Sequence, residues 1–142
     1  MADVKHYEIF DCTPEQFFDL LVDYESYPDF LNEVKSCKIL SAEGEKKKVE
    51  YKVSVIKTFS YTNEHEEIRP TEVRWKFLNG DLFKEMHGHW KLSEEKGKTK
   101  AEYYVEAQFG RFVPGAMTKT VLSVNLPAMM DAYHKRVKDL YK

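Results

Sequence analysis

From Val34 to Phe109 apolar and polar residues alternate with a period of two. Val49, Tyr51, Val53 and Val55 are interleaved with Glu50, Lys52 and Ser54, and Val73, Trp75 and Phe77 with Glu72, Arg74 and Lys76. Met86, Gly88, Trp90 and Leu92 alternate with His87, His89 and Lys91; Ala101, Tyr103, Val105, Ala107 and Phe109 alternate with Glu102, Tyr104, Glu106 and Gln108. Successive side chains of an extended chain point to opposite faces, so each run predicts a strand with one dry and one wet face. Turn signals at Glu43-Gly44, Arg69-Pro70, Asn79-Gly80-Asp81 and Lys96-Gly97-Lys98 separate the runs. Connections this short join antiparallel neighbours, which predicts a meander.

The two ends of the chain follow other rules. Val4 to Phe10 alternates loosely and predicts a first strand. Thr13 is a helix N-cap, Pro14 occupies the first helical position, and Gln16 completes a capping box. Phe17, Leu20 and Leu21 give that short helix one apolar face, and Tyr24 to Leu31 predicts a second short helix or turn broken around Pro28. After Phe112-Val113-Pro114-Gly115 the period lengthens to three or four, through Met117, Val121, Val124, Ala128 and Ala132. An adjacent stripe runs through Leu122, Leu126, Met129, Tyr133, Val137 and Leu140, which predicts one long helix with a wide apolar face, kinked at Pro127. The expected fold class is therefore α+β: a curved antiparallel sheet of about six to seven strands wrapped around a long C-terminal helix, with two short helices after the first strand. With 142 residues, it fits one domain spanning 1–142.

Composition narrows the chemistry. The net charge of −2 supplies no general electrostatic attraction to nucleic acid, so no DNA partner is expected. Aromatic residues make up 14% of the chain, which suits either a core filled with large side chains or the accommodation of a flat apolar molecule. Cys12 and Cys37 form neither a disulfide framework nor a metal spacing. His87 and His89 share one strand face, but a wet one with no third ligand, so no metal site is expected. Glu64, His65, Glu66 and Glu67 read as a charged, solvated strand edge. No motif of nucleophilic or phosphate chemistry is present, so catalytic residues are none; a cyclase would have to use groups such as Tyr103, Arg69 or His65 as acid or base. No stretch of 18 apolar residues occurs and the start of the chain lacks the apolar core of a signal peptide, from which cytoplasmic residence is expected.

The stretch Tyr24-Glu25-Ser26-Tyr27-Pro28-Asp29-Phe30-Leu31, the strand beginning at Val34 and the ending Tyr133-His134-Lys135-Arg136-Val137 resemble the START-like, helix-grip superfamily. Within it the chain is most similar to the coenzyme-Q-binding and polyketide-cyclase-like proteins. That resemblance implies a hydrophobic tunnel between sheet and helix that holds a lipid, a quinone such as ubiquinone, or another flat apolar molecule. It also implies possible functions of its branches: delivery of ubiquinone to the respiratory chain with peripheral contact at the inner membrane, polyketide cyclisation, and regulation of the ribosome.

For such a tunnel the inward-facing residues are the candidate ligand contacts. From the strands these are Tyr51, Val53, Trp75, Phe77, Met86, Trp90, Tyr103 and Val105; from the helix, Met117, Val121, Val124 and Met129. Tyr27, Pro28 and Phe30 are the candidates for its mouth. Methionines repack and rings offer stacking faces, so the set suits an adaptable apolar cavity, and it suits an ordinary core equally well.

Overall fold

Each alternating run forms the strand it predicts, in a computed structural model that describes residues 2–141. Met1 and Lys142, the ends of the single domain expected over 1–142, lie outside the described residues. The strands are β1 (Ala2–Phe10), β2 (Val34–Glu43), β3 (Lys46–Ser54), β4 (Thr58–Ile68), β5 (Glu72–Gly80), β6 (Phe83–Glu95) and β7 (Lys98–Phe109). They form one seven-stranded sheet in the order β1-β7-β6-β5-β4-β3-β2. The strands from β2 to β7 follow one another as a meander, and β1 closes on β7 with Ala2 opposite Ala107 and Phe10 opposite Thr99. All pairings are antiparallel.

The local helix signals act as expected. In α1 (Pro14–Leu21) the Gln16 N–H donates to Thr13 Oγ1 at 3.2 Å, while the Thr13 N–H donates to Gln16 Oε1 at 3.0 Å. Two donors left free by helix geometry are thereby satisfied. The helix buries Phe17, Phe18, Leu20 and Leu21, and a 3₁₀ helix over Tyr24–Asp29 supplies the second short helical element.

The long C-terminal helix spans α2 (Gly115–Lys119), a π-helical turn (Thr120–Val124) and α3 (Leu126–Leu140). Pro127 lies in the first turn of α3, where its missing N–H costs nothing. The irregularity falls just before it, where the Asn125 N–H reaches back to the Thr120 carbonyl at 3.4 Å. A π turn inserts one residue and rotates everything beyond it relative to a regular helix. Val124, expected on the inner face, is consequently 68% exposed, and Ala128 is also exposed, whereas Met130 is buried. Met117, Leu122, Tyr133 and Val137 do face the sheet and are buried.

Packing is solid at one end of the concave face. Phe10 stacks on Phe17 at 4.3 Å between centroids, and Trp90 meets Phe17 and Tyr133 edge-on, each at 5.4 Å. Among the described residues no helix is long and apolar enough to cross a membrane.

Candidate functional site

Beyond the Phe10–Phe17–Trp90 cluster, the sheet and the C-terminal helix do not close on each other. They enclose a cavity of about 180 Å³. Of the residues expected to face a ligand, Tyr51, Val53, Trp75, Met86, Trp90, Tyr103, Val105, Val121 and Met129 line it. Phe77 and Met117 do not: Phe77 packs against Phe83 at 5.9 Å, and Met117 is buried in the hydrophobic core. Val124 faces outward for the reason given above. At the expected mouth Tyr27 is in the cavity wall, 8% exposed, with its hydroxyl donating to the Leu21 carbonyl. Pro28 and Phe30 are outside the lining; Phe30 sits beneath the C-terminal helix, with Tyr133 at 5.4 Å and the Arg136 guanidinium 5.1 Å over its ring. Glu33, Val55 and Asn125, all half-buried, are also in the lining.

Gly88 makes the central part of this wall possible. A Cβ there would come within 2.7 Å of Trp75 Cζ2. Without it the Trp75 indole lies over the strand, 6.1 Å from Tyr103, which in turn stands 4.8 Å from Trp90. The result is a row of rings along one side of the cavity.

Next to Trp75 on the same sheet face, β4 holds what the alternation of charge placed in water, with the His65 ring 5.9 Å from the indole. β4 runs between β3 and β5, not along an edge. Phe59, Tyr61, Asn63 and His65 share its inner face and all line the cavity. His65 is only 4% exposed and Asn63 3%. The pairing of β4 with β5 passes from Thr62 opposite Asn79 to Asn63 opposite Phe77, so Leu78 is an extra residue. Such a bulge re-aims neighbouring side chains, and here it falls at Asn63. The usable signal was Phe59 and Tyr61, whose period of two continues into Asn63 and His65; the density of charge in Glu64, Glu66 and Glu67 concealed it.

His65 Nε2 and the Tyr51 hydroxyl are hydrogen-bonded at 2.8 Å, while His65 Nδ1 and Asn63 Oδ1 are buried with no protein partner. Burial, reinforced by the charge of Lys47, lowers the pKa of His65 to about 3, so the imidazole is neutral at pH 7. Burial also raises the pKa values of Tyr51, Tyr61 and Tyr103, which stay neutral phenols. The imidazole and phenols of the site are thus neutral, its walls are largely aromatic and aliphatic, and a small hydrogen-bonding cluster sits on β3 and β4. Among the described residues Glu33 is the one carboxylate in the lining. Among the described residues no group of three or more His, Cys, Asp or Glu side chains is arranged to hold a metal ion.

The buried neutral His65 gives folding a definite pH dependence. Between pH 6.5 and about 3 the unfolded chain binds a proton that the native imidazole does not. Stability from this residue is therefore complete above pH 6.5 and falls as the pH drops, by about 2 kcal/mol at pH 5. Urea unfolding from pH 7.5 to 5 should show this decline, and His65→Gln should flatten it. An unchanged slope in the variant would assign the effect elsewhere. Glu8, whose carboxylate is held below its usual pKa by hydrogen bonds to His134 and His6 against the opposing effect of burial, acts only at lower pH.

Comparisons with known proteins agree with this architecture. A family described as polyketide cyclase / dehydrase and lipid transport matches residues 11–133. No curated protein matches the sequence. A solved protein from Thermus thermophilus is 18% identical over 99% of this chain and 100% of its own, with a TM-score of 0.88. A START superfamily protein from Mycobacterium smegmatis is 18% identical over 97% of this chain and 98% of its own, with a TM-score of 0.82. The Zhui aromatase/cyclase from a Streptomyces species is 14% identical over 99% of this chain and 96% of its own, with a TM-score of 0.88. At such identities these likenesses establish the START-like helix-grip fold.

Proposed function

We propose that this chain, which belongs to the polyketide cyclase / dehydrase and lipid transport family, takes up a compact, ring-bearing apolar molecule between its sheet and its C-terminal helix. The observation that carries this reading is the aromatic-walled cavity of about 180 Å³. An engineered apolar cavity of roughly 150 Å³ accepts benzene, so this one has room for a ring or a pair of fused rings. A lipid or quinone such as ubiquinone fits that size only by its ring, with the isoprenoid tail leaving past Glu33, Val55 and Asn125. Each methylene buried along that exit contributes about 0.8 kcal/mol before the costs of association.

Trp75 and Trp90 both line the cavity, so their fluorescence is a direct reporter. Titration with a short-chain ubiquinone should quench it saturably and raise the melting temperature, because a ligand that binds only the native state stabilises it. Val121→Trp fills the cavity from the helix side and should abolish the quenching while the protein still melts cooperatively. Absence of any quenching or thermal shift, together with no lipid or quinone extractable from the purified protein, would remove this reading.

A second reading, catalysis of the cyclase or aromatase type, draws on one observation: Asn63 and the Tyr51–His65 pair stand inside the cavity. In this reading Asn63 and the Tyr51–His65 pair hydrogen-bond the substrate's carbonyls and hold the chain folded for ring closure. Incubation with a linear poly-β-ketone, followed by NMR, tests it. Cyclised product lost in His65→Gln supports the enzyme, and substrate recovered unchanged excludes it.

A further inference from the structure

We propose that the ligand carries a phenolic or enolic hydroxyl at its buried end, received by Asn63 and the Tyr51–His65 pair. This rests on the cavity being the ligand site and goes on to name the chemistry that the site selects.

Buried polar groups in folded proteins almost always have partners, because an unmet one loses its hydration for nothing in return. Here two lie in the same cavity wall, two residues apart on β4: Asn63 Oδ1 and His65 Nδ1. Both side chains are more than nine-tenths buried. Nothing else in the fold requires polarity at these positions. Val49, directly across from Asn63 on β3, is fully buried, and Val73 and Phe59 continue the apolar wall. An aliphatic residue of the same size would satisfy packing at position 63 without any unmet acceptor.

The neighbouring pair adds a donor. His65 and Tyr51 share one hydrogen bond, and its direction depends on the imidazole tautomer. A buried N–H without a partner is rarer than a buried acceptor without one, which favours the tautomer with the proton on Nε2. His65 then donates to the Tyr51 oxygen, Nδ1 is the unmet acceptor, and the Tyr51 O–H is left to donate, with the weakly accepting Cys37 thiol as its only protein alternative among the described residues. A site offering an acceptor at Asn63 beside a donor at Tyr51 matches a group that both gives and receives a hydrogen bond. A hydroxyl does both, whereas a quinone carbonyl or an ether oxygen only receives. The ring that carries it would lie along Trp75 and Tyr103, the aromatic side of the cavity.

Three probes of similar shape separate these possibilities: 2-naphthol, 2-methoxynaphthalene and naphthalene, each titrated by tryptophan fluorescence and calorimetry. Wild-type protein should bind 2-naphthol at least ~10-fold more tightly than either of the others, since a site built to pair a hydroxyl discriminates against analogues that lack it. In Asn63→Leu the preference should shrink to within ~3-fold while naphthalene still binds, and the ligand-free variant should melt at a higher temperature because an unmet buried acceptor has gone. Equal binding of the three probes, or a preference that survives Asn63→Leu, overturns the hydroxyl assignment and leaves the cavity as an apolar site. A variant that melts lower and loses every probe makes Asn63 a structural residue and overturns it too. If no probe binds wild-type protein, the cavity reading itself falls, and this inference with it.

Discussion

Trp90→Ala should cost about 3–5 kcal/mol of folding stability, the range for truncating a large buried aromatic side chain. Trp90 is 4% exposed on the inner face of β6 and belongs to both halves of the interior. On one side it meets Phe17 at 5.4 Å and Phe10 at 6.3 Å; on the other it meets Tyr103 at 4.8 Å and lines the cavity. Edge-on and tilted ring pairs contribute about 0.5–1.5 kcal/mol each beyond the area they bury. Removing the indole opens the wall between packed core and cavity, so the ligand space grows while its shape is lost. Urea unfolding should show the stability loss, and larger apolar probes should bind the variant better relative to naphthalene than they bind wild type. A loss under about 1 kcal/mol would mean the surrounding rings collapse into the space, and the division between core and cavity is then not maintained by Trp90.

Gly88→Ala should be damaging out of proportion to its single methyl group. The added Cβ would stand 2.3 Å from the Tyr104 carbonyl oxygen and 2.7 Å from Trp75 Cζ2. The carbonyl cannot retreat, because β7 lies in the sheet interior with His89 paired opposite Tyr104 and β1 on its far side. The strain therefore falls on two responses: local opening of the β6–β7 pairing, and displacement of Trp75 toward the cavity. Overpacking of this kind costs about 3 kcal/mol, the upper end of the usual range. The displaced indole should also weaken 2-naphthol binding by at least ~10-fold and alter the near-ultraviolet circular dichroism of the tryptophans. A variant with wild-type melting and wild-type affinity would show that Trp75 does not need its close approach to Gly88.

These two residues differ in how visible they were. Trp90 stands in a clean alternation with His89 and Lys91, so its inward direction was legible from β6 alone. Gly88 occupied the same register without any sign that an indole would lie on it, because Trp75 belongs to another strand and only the pairing of Trp75 with Gly88 brings them together. His65 was misplaced for a related reason. Three carboxylates within two residues on either side of it are a solvated pattern on their own, but Glu64 and Glu66 point to the outer face, where they pair with Lys76 and Arg74. Glu67 finds Lys47 at 2.5 Å and the Tyr24 hydroxyl at 2.8 Å. Val124 failed through phase, since a helical stripe extrapolated at a constant turn cannot anticipate one π turn.

By itself the sequence determined what depends on a few neighbouring residues: the strands with a wet face, the capped start of α1, the turns, and the existence of a long amphipathic C-terminal element. Alternation, capping and turn chemistry are local forces, and they read the same in any fold that uses them. The tertiary structure decided the rest. It placed β4 inside the sheet, closed β1 on β7, turned Val124 outward, and brought Asn63, His65 and Tyr51 together beside Trp75. It also left a cavity where the same side chains might have packed as solid core. Cavity volume is the small difference between the space enclosed by a curved sheet and helix and the volume of the side chains that fill it. That difference is set by contacts between residues far apart in the chain, so no local pattern carries it.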